Sequence, residues 1–334
     1  MCTGSITGRG ATYGSLLFLC LSLLVSSTVW AHQAPAAMTN LTFAGFPTSW
    51  RFRPDIILVM GVLAGAYTSG WWRLRHVSRR HAPLGWQPAL YLSGLLVLGL
   101  ALLSPLERWA DECFTLHMVQ HLLLIMIAPP LLLYANPLPA VLWALPRRAR
   151  HPLGRLLRRG ALVRRGLRAV TWPPVAWLVF VGTLWIWHSP ALYQAALRHE
   201  ALHALEHLAF FGTALLFWWP IITPAPQVRG RLHPGLQIVY LMAATGQNTL
   251  LAAVIAVPQR VLYPVYATAS QAWGLSPLND QALGGGLMWV AGHMYLLPIL
   301  LIVARALGEE EQSTRQREAA MPVQGCSSQQ SKLE

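Results

Sequence analysis

Seven apolar runs alternate along the chain with segments that are rich in arginine, proline and glycine. Each run approaches the ~20 residues that an α-helix, rising about 1.5 Å per residue, needs to cross the hydrocarbon core of a bilayer. The pattern therefore predicts an all-α, polytopic membrane protein with seven transmembrane helices. The predicted spans are residues 54–72, 88–104, 116–135, 173–188, 201–222, 234–256 and 284–304.

Prolines mark the beginnings of several spans, as expected for the first turn of a helix, where the amide groups have no helical partner. The pair Pro129-Pro130 is different because it lies inside the third span. Two adjacent prolines remove two amide donors, so we predict a kink or a break in that helix.

The composition agrees with a membrane protein, because 54% of the residues are hydrophobic and 11% are charged, against about 25% charged residues in a typical soluble domain. The formal net charge is +13. In a soluble chain this charge would suggest nucleic acid, but here most arginines lie in the loops between apolar runs. We therefore exclude nucleic acid as a partner and expect the arginines to contact the headgroups of the lipid bilayer.

The arginines also predict the orientation of the spans. They are concentrated between spans 1 and 2, 3 and 4, and 5 and 6, whereas the alternate loops contain only Arg108, Arg198 and Arg260. Arginine-rich loops remain in the cytoplasm according to the positive-inside rule. The bundle is then predicted to have its N-terminus outside and its C-terminus inside.

The two ends of the chain differ from the predicted seven-helix membrane domain, residues 54–305. Residues 1–31 have the basic start, apolar centre and small terminal residues of a signal peptide, with an uncleaved anchor as the alternative. Residues 32–53 are predicted to form a periplasmic N-terminal segment, in which His32 is a weak candidate for chelating Cu(II) after cleavage. The polar residues 306–334 are predicted to be a disordered cytoplasmic tail.

Six histidines are predicted to lie in the outer half of this bundle. Ionisable groups inside a bilayer cost free energy, so they usually mark a functional site. Four of the six form two i,i+4 pairs, and this spacing places both imidazoles of a pair on one face of a helix, ~6 Å apart along its axis. The six residues are His117, His121, His188, His203, His207 and His293.

Two histidine pairs on neighbouring helices are able to present three or four imidazole nitrogens to one metal ion, and His188 can close the site from above. Imidazole suits Cu(II), Zn(II) and Cu(I). Glu206 lies between the paired histidines of span 5 and is expected to orient one imidazole. Asp111 and Glu112 at the outer mouth would attract a cation, and the thioether of Met118 favours Cu(I).

Two other functions are compatible with the same histidines. Two overlapping strings match motifs of zinc metallopeptidases: His199 to His203 matches H-E-x-x-H, in which Glu200 would be the general base, and His203 to His207 matches H-x-x-E-H. Such short patterns arise easily in a histidine-rich helix, so we expect a protein that is not an enzyme. Alternatively, two histidines on facing helices could ligate haem b for electron transfer or haem transfer. Cys113 is the single thiol on the outer side and is either a soft copper ligand or part of the packing.

Longer strings accompany the histidine pairs and together cover most of residues 50–305. They are His117 to Leu124 running into Ala128-Pro129-Pro130-Leu131-Leu132, Trp187 to Tyr193, His203 to His207 leading to Phe217-Trp218-Trp219-Pro220, Leu262 to Tyr266, and Asp280 to Trp289. With these strings the chain resembles the CtaG family of cytochrome c oxidase assembly factors, which are seven-helix proteins associated with caa-type oxidases.

The resemblance implies a non-catalytic accessory protein of the bacterial inner membrane that matures a haem–copper oxidase, with copper as its cargo and the metal site facing the periplasm. The implied partners are a cytochrome c oxidase subunit and a periplasmic copper chaperone. In this family pattern His293 falls where small residues are expected. The histidines of the family correspond here to His117, His121, His188, His203 and His207.

Overall fold

The computed structural model describes residues 50, 52–77, 84–158, 160–268, 270 and 274–320. The predicted signal peptide, His32 and most of the predicted periplasmic segment 32–53 lie outside this part of the chain. Every regular element within the described residues is helical, which confirms the all-α prediction.

The α-helices are numbered here in chain order, and several begin with proline, as the sequence predicts. They are α1 (Pro54–Val77), α2 (Gln87–Leu103), α3 (Pro105–Ala110), α4 (Phe114–Leu122), α5 (Ala128–Tyr134), α6 (Pro137–Ala144), α7 (Arg147–Leu156), α8 (Leu162–Val170), α9 (Pro173–Trp187), α10 (Pro190–Arg198), α11 (Glu200–Ile222), α12 (Pro234–Ala256), α13 (Pro277–Gly292) and α14 (Leu296–Ala320).

Four helical segments are long and apolar enough to cross a membrane: Phe114–Tyr134, Glu200–Ile222, Pro234–Ala256 and Pro277–Gln316. A fifth is obtained if α8 and α9, which meet at an angle of 64°, are counted as one span. Helix α2 is apolar but has only 17 residues. The chain is therefore a helical protein of membrane type with four or five candidate spans, whereas seven spans and the orientation of the ends stay predictions.

Two segments that we expected to be irregular contain helices. The arginine-rich segment between the third and fourth predicted spans folds into α6, α7 and α8. The last helix passes the predicted boundary of the membrane domain at residue 305 and ends at Ala320. The predicted disordered tail therefore begins with a helical stretch, and residues 321–334 lie outside the described part.

The third predicted span is one helical segment, Phe114–Tyr134, with a π-helical turn at Leu123–Ile127 just before the proline pair. Pro129 has no N–H to donate to the carbonyl of Ile125, four residues earlier. The indole of Trp218 in α11 donates to that carbonyl instead, at 3.0 Å. The prolines are accommodated by a π turn and a side-chain hydrogen bond, so the helix continues through them.

Helix α13 makes close contacts with two other helices. Helix α13 packs against both α4 and α12, and glycine allows the approach on each side. A Cβ atom on Gly284 would lie 2.4 Å from Cδ1 of Phe114, and a Cβ atom on Gly285 would lie 2.9 Å from the backbone nitrogen of Ala256. Both positions therefore require a residue without a side chain.

Candidate metal centre

The two histidine pairs face each other inside the protein. His117 and His121 lie on α4, and His203 and His207 lie on the first turns of α11. All four side chains are buried. The ring centroids of His117 lie 4.3 Å from His121, 5.2 Å from His203 and 6.2 Å from His207. The i,i+4 spacing and the contact between the two helices therefore bring four imidazoles to one point.

The ring nitrogens are close enough to share an ion. The Nε2 atoms of His117 and His121 are 2.9 Å apart. One nitrogen from each of His117, His203 and His207 lies within 4.8 Å of the other two. Ligands placed ~2.0–2.1 Å from a metal ion are separated by about 2.8–3.4 Å, for square or tetrahedral geometry. Small side-chain movements are therefore sufficient to coordinate a copper or zinc ion.

Glu206 supplies a carboxylate to the same cluster. Its Oε1 atom is 3.7 Å from Nε2 of His121, so it faces a histidine of the other helix rather than its own neighbours. Together with His117 and His121 it forms a second group of donors that lie within 4.8 Å of one another. The two donor groups share His117.

Several polar atoms in this cluster have no hydrogen-bond partner among the described residues. They are Nδ1 of His121, Nε2 of His188, Nε2 of His207 and both carboxylate oxygens of Glu206. Buried polar atoms are nearly always hydrogen-bonded, and each one left without a partner costs about 1–3 kcal/mol. A bound cation would satisfy these atoms, so the donor set fits a metal ion.

His188 lies at the edge of the cluster, at the C-terminal end of α9. Its ring centroid is 5.9 Å from that of His121. Its Nδ1 atom is 2.8 Å from the carbonyl oxygen of Leu184, so Nδ1 carries the proton and donates it. In the neutral ring this leaves the lone pair on Nε2 free to bind a metal ion.

Two tyrosines for which the sequence predicted no role, Tyr266 and Tyr193, lie against His117 and orient its ring. The hydroxyl of Tyr266 lies 2.9 Å from Nδ1 of His117 and 2.9 Å from the hydroxyl of Tyr193. It donates to the carbonyl of Ala110 at 3.2 Å. Burial raises the pKa of Tyr266 well above its ordinary value, so this hydroxyl stays neutral. The signal was present in the sequence, since both tyrosines belong to the strings that carry the family resemblance.

Asp280 is a further residue near the site for which the sequence predicted no role. This fully buried residue of α13 caps the first turn of α4. Its carboxylate accepts hydrogen bonds from the backbone N–H groups of Phe114 and Thr115, at 2.8 and 2.9 Å, and from the Thr115 hydroxyl at 2.7 Å. The cap satisfies otherwise unpaired amides and fixes the helix that carries His117.

Cys113 belongs to this cap and not to the histidine cluster. Its thiol donates to Asp280 Oδ1 at 3.2 Å, and the residue is buried. Burial, with a contribution from Asp280, raises the pKa of Cys113 to about 11. The thiol is therefore protonated at neutral pH, which favours the packing alternative over the copper-ligand alternative.

The structure does not bring His293 into the cluster. Its side chain is exposed, and its Nδ1 donates to the carbonyl of Trp289 at 2.9 Å. The other predicted neighbours lie around the site: Asp111 and Glu112 are half-buried between α3 and α4, and Met118 is buried. Met118 lines a small cavity beside the cluster.

This cavity has a volume of about 30 Å³ and its lining includes His121, His188, Met118 and Met288. It has room for one or two water molecules or a single ion. Cofactor pockets usually measure about 300–1,000 Å³. The geometry therefore does not favour the haem b alternative.

The structure does not support Glu200 as the general base of a metallopeptidase. Two residues of its motif, His199 and Glu200, are exposed at the start of α11. Glu200 lies 3.8 Å from the guanidinium of Arg53 and not beside the buried nitrogens. A general base has to reach the water bound to the metal, and this position does not provide that.

These features define a class of protein, namely a helical bundle of membrane type with a buried histidine cluster contributed by three helices. The chain belongs to the cytochrome c oxidase caa3 assembly factor family, whose sequence profile matches residues 65–309. The family resemblance drawn from the sequence is thereby confirmed.

Three mycobacterial proteins described as uncharacterised are similar to the chain. Those of Mycobacterium bovis and Mycobacterium tuberculosis are each 26% identical over 280 residues, and that of Mycobacterium leprae is 25% identical over 267 residues. The alignments cover 83%, 83% and 79% of this chain but 42%, 42% and 40% of the relatives. The chain thus spans about two fifths of the length of these relatives. No solved structure matches the chain.

Proposed function

We propose that this protein is a non-catalytic assembly factor that binds copper through its histidine cluster and delivers it to cytochrome c oxidase. The ligands are His117, His121, His203 and His207, and His188 completes the site at its edge. The observation that carries the proposal is the convergence of four buried imidazoles and one carboxylate, several of whose polar atoms have no partner in the described structure.

Copper suits this donor set better than the alternatives do. Imidazoles without a thiolate bind Cu(II) and Zn(II) well, and Cu(II) is favoured by the general order of affinities. The thioethers of Met118 and Met288 line the adjoining cavity and extend the same region to Cu(I), for which sulfur is a good ligand. Cytochrome c oxidase is a haem–copper enzyme, so copper is also the metal that its assembly requires.

The arrangement of donors favours transfer over permanent storage. Two groups of donors share His117, so an ion bound to one group can move to the other by exchange of the remaining ligands. Neither group surrounds an ion with four fixed ligands, as a closed structural site does. The cluster thus supports a copper cargo that enters and leaves by ligand exchange.

We further propose that the chain has the topology predicted from its sequence. With seven spans and the arginine-rich loops inside, the histidine cluster faces the periplasm of a bacterial inner membrane. The recipient is then a cytochrome c oxidase subunit whose copper site opens to that side, and the donor is a periplasmic copper chaperone.

The test compares the double variant His117→Ala/His207→Ala with His151→Ala, which removes an exposed histidine of α7. We expect the double variant to lose most of its copper, measured by elemental analysis after loading and washing of the detergent-purified protein. Membranes from cells that depend on the double variant should also lose oxidase activity, whereas His151→Ala should match the wild type. Wild-type copper content and oxidase activity in the double variant would refute the proposal.

A further inference from the structure

At the other end of the helices that carry the histidines, α8 forms an amphipathic surface. Leu162 and Val163 are exposed, with 82% and 47% of their surfaces accessible, while Arg165 and Arg168 are exposed on the same short helix. Helix α8 lies at 64° to α9, which follows it. An amphipathic, arginine-rich helix at an angle to a span is typical of a helix that lies in the membrane interface.

A basic pocket of about 640 Å³ lies beside α8, and four arginines line it: Arg164, Arg165, Arg168 and Arg229. Two of these arginines make hydrogen bonds that join the two segments lining the pocket. Arg164 donates to the carbonyl of Gln227 at 2.6 Å, and Arg229 donates to the carbonyl of Arg168 at 2.6 and 2.9 Å. Within the described residues, the guanidinium groups of Arg165 and Arg168 make no hydrogen bond or ion pair, so both are available to a ligand.

The residues that line this pocket include no aspartate and no glutamate. Residues 136–172 and 223–233, which form it and its surroundings, contain no aspartate and no glutamate. Burial and the neighbouring Arg168 lower the pKa of Arg229, as expected for like charges held close together. An anionic group is therefore the complementary ligand.

An apolar groove of about 770 Å³ adjoins the basic pocket. Its walls include Trp172, Trp177, Trp219 and Tyr240. The groove and the basic pocket share five lining residues: Arg168, Gln227, Val228, Arg229 and Gly230. Tryptophans concentrate at the level of the lipid headgroups in membrane proteins. The combined site therefore has a cationic end, formed by the arginines, and an apolar end, formed by the groove.

We propose that this combined site binds one anionic phospholipid. The phosphate of the headgroup is held by Arg165 and Arg168, and the acyl chains lie along the groove between α9, α11 and α12. Basic pockets between transmembrane helices on the cytoplasmic side recognise anionic headgroups in this way. The site is separate from the histidine cluster, because α9 and α11 each have the groove at one end and the histidines at the other.

Native mass spectrometry of the purified chain, exposed to equal amounts of phosphatidylglycerol and phosphatidylcholine with identical acyl chains, tests the proposal. The wild type should retain phosphatidylglycerol in preference to phosphatidylcholine. The variant Arg165→Gln/Arg168→Gln should retain about 25-fold less phosphatidylglycerol, at roughly fivefold per arginine near a membrane surface. The matched control Arg147→Gln/Arg148→Gln removes the same charge from exposed residues of α7 and should behave as the wild type.

A second measurement needs no variant of the arginines. Brominated phosphatidylglycerol should quench the tryptophan fluorescence of the wild type more than brominated phosphatidylcholine does, because bound lipid lies against Trp172 and Trp219. Equal quenching by the two lipids would overturn the proposal. Equal loss of phosphatidylglycerol from the two arginine variants would also overturn it, as would a wild type that retains neither lipid, which would leave an acidic protein segment as the occupant.

Discussion

The Nε2 atoms of His117 and His121 lie 2.9 Å apart, a separation at which two lone pairs repel unless a proton or a cation lies between them. The hydrogen bonds of Tyr266 determine which nitrogen of His117 carries the proton. Its hydroxyl donates to the carbonyl of Ala110, so it accepts from Nδ1 of His117 and leaves the Nε2 of that ring as a lone pair. The second ring faces Glu206 as well. The lone pair of His117 and the carboxylate of Glu206 therefore both favour a positive charge between the two imidazole rings.

The tyrosine is therefore expected to act on the metal through the histidine. In Tyr266→Phe the Nδ1 of His117 loses its acceptor, and the ring is free to adopt the other tautomer. We expect copper affinity to fall by about tenfold, at the lower end of the effect of residues that orient metal ligands. Competition with a chelator measures the change. Tyr240→Phe removes a buried hydroxyl that donates to Phe217, and copper affinity should not change in that control.

Glu206 is expected to contribute charge as well as geometry. Glu206→Gln keeps the shape of the side chain and removes a carboxylate 3.7 Å from His121. We predict copper binding weaker by about 10–100-fold, measured by the same competition. Glu200→Gln on the same helix is the control, because Glu200 is exposed. Oxidase assembly in Glu200→Gln cells should be normal, and its loss there would revive the peptidase alternative.

The thiol of Cys113 should be chemically inert near neutral pH. The thiolate is the reactive form, and the pKa of Cys113 is raised to about 11. Alkylation of the folded protein, in a variant with the other cysteines replaced by serine, should therefore be slow at pH 7.5. It should accelerate about tenfold per pH unit up to about pH 11. Fast alkylation at pH 7.5 would show that Asp280 and the first turn of α4 are not arranged as described.

Two adjacent glycines of α13 offer a paired test of helix packing. A Cβ atom on Gly285 would meet the backbone of Ala256, whereas one on Gly286 would meet nothing within 4 Å. Gly285→Ala should therefore destabilise the protein by about 1–3 kcal/mol. Gly286→Ala should be neutral or slightly stabilising, because alanine favours a helix more than glycine does. Thermal unfolding in detergent compares the two, and equal effects would contradict the packing of α13 on α12.

The two histidine pairs were predictable from the sequence because each depends on local spacing. The i,i+4 spacing places His117 with His121, and His203 with His207, on one face of its helix. The arginine pattern predicts that both pairs lie on the same side of the bundle. The all-helical fold follows from the apolar runs, which are also local features of the chain.

The features that the sequence did not predict depend on contacts between distant residues. The π turn at the proline pair is stabilised by Trp218, a residue 93 positions away from Ile125, and the cap on α4 comes from Asp280, 166 positions beyond Phe114. His293 was included by depth alone, and depth does not specify which way a side chain points. Rotation of a helix about its axis is set by packing, which spacing within one span does not determine.

X-ray absorption at the copper edge of the copper-loaded wild type tests the central claim most directly. If imidazoles from separate helices hold the ion, the spectrum should show three to four nitrogen ligands at about 2.0 Å with the multiple scattering of histidine rings. The number of histidine ligands should fall in His117→Ala and remain constant in His293→Ala. A shell of oxygen or sulfur without histidine scattering, or a spectrum identical in wild type and His117→Ala, would contradict the account.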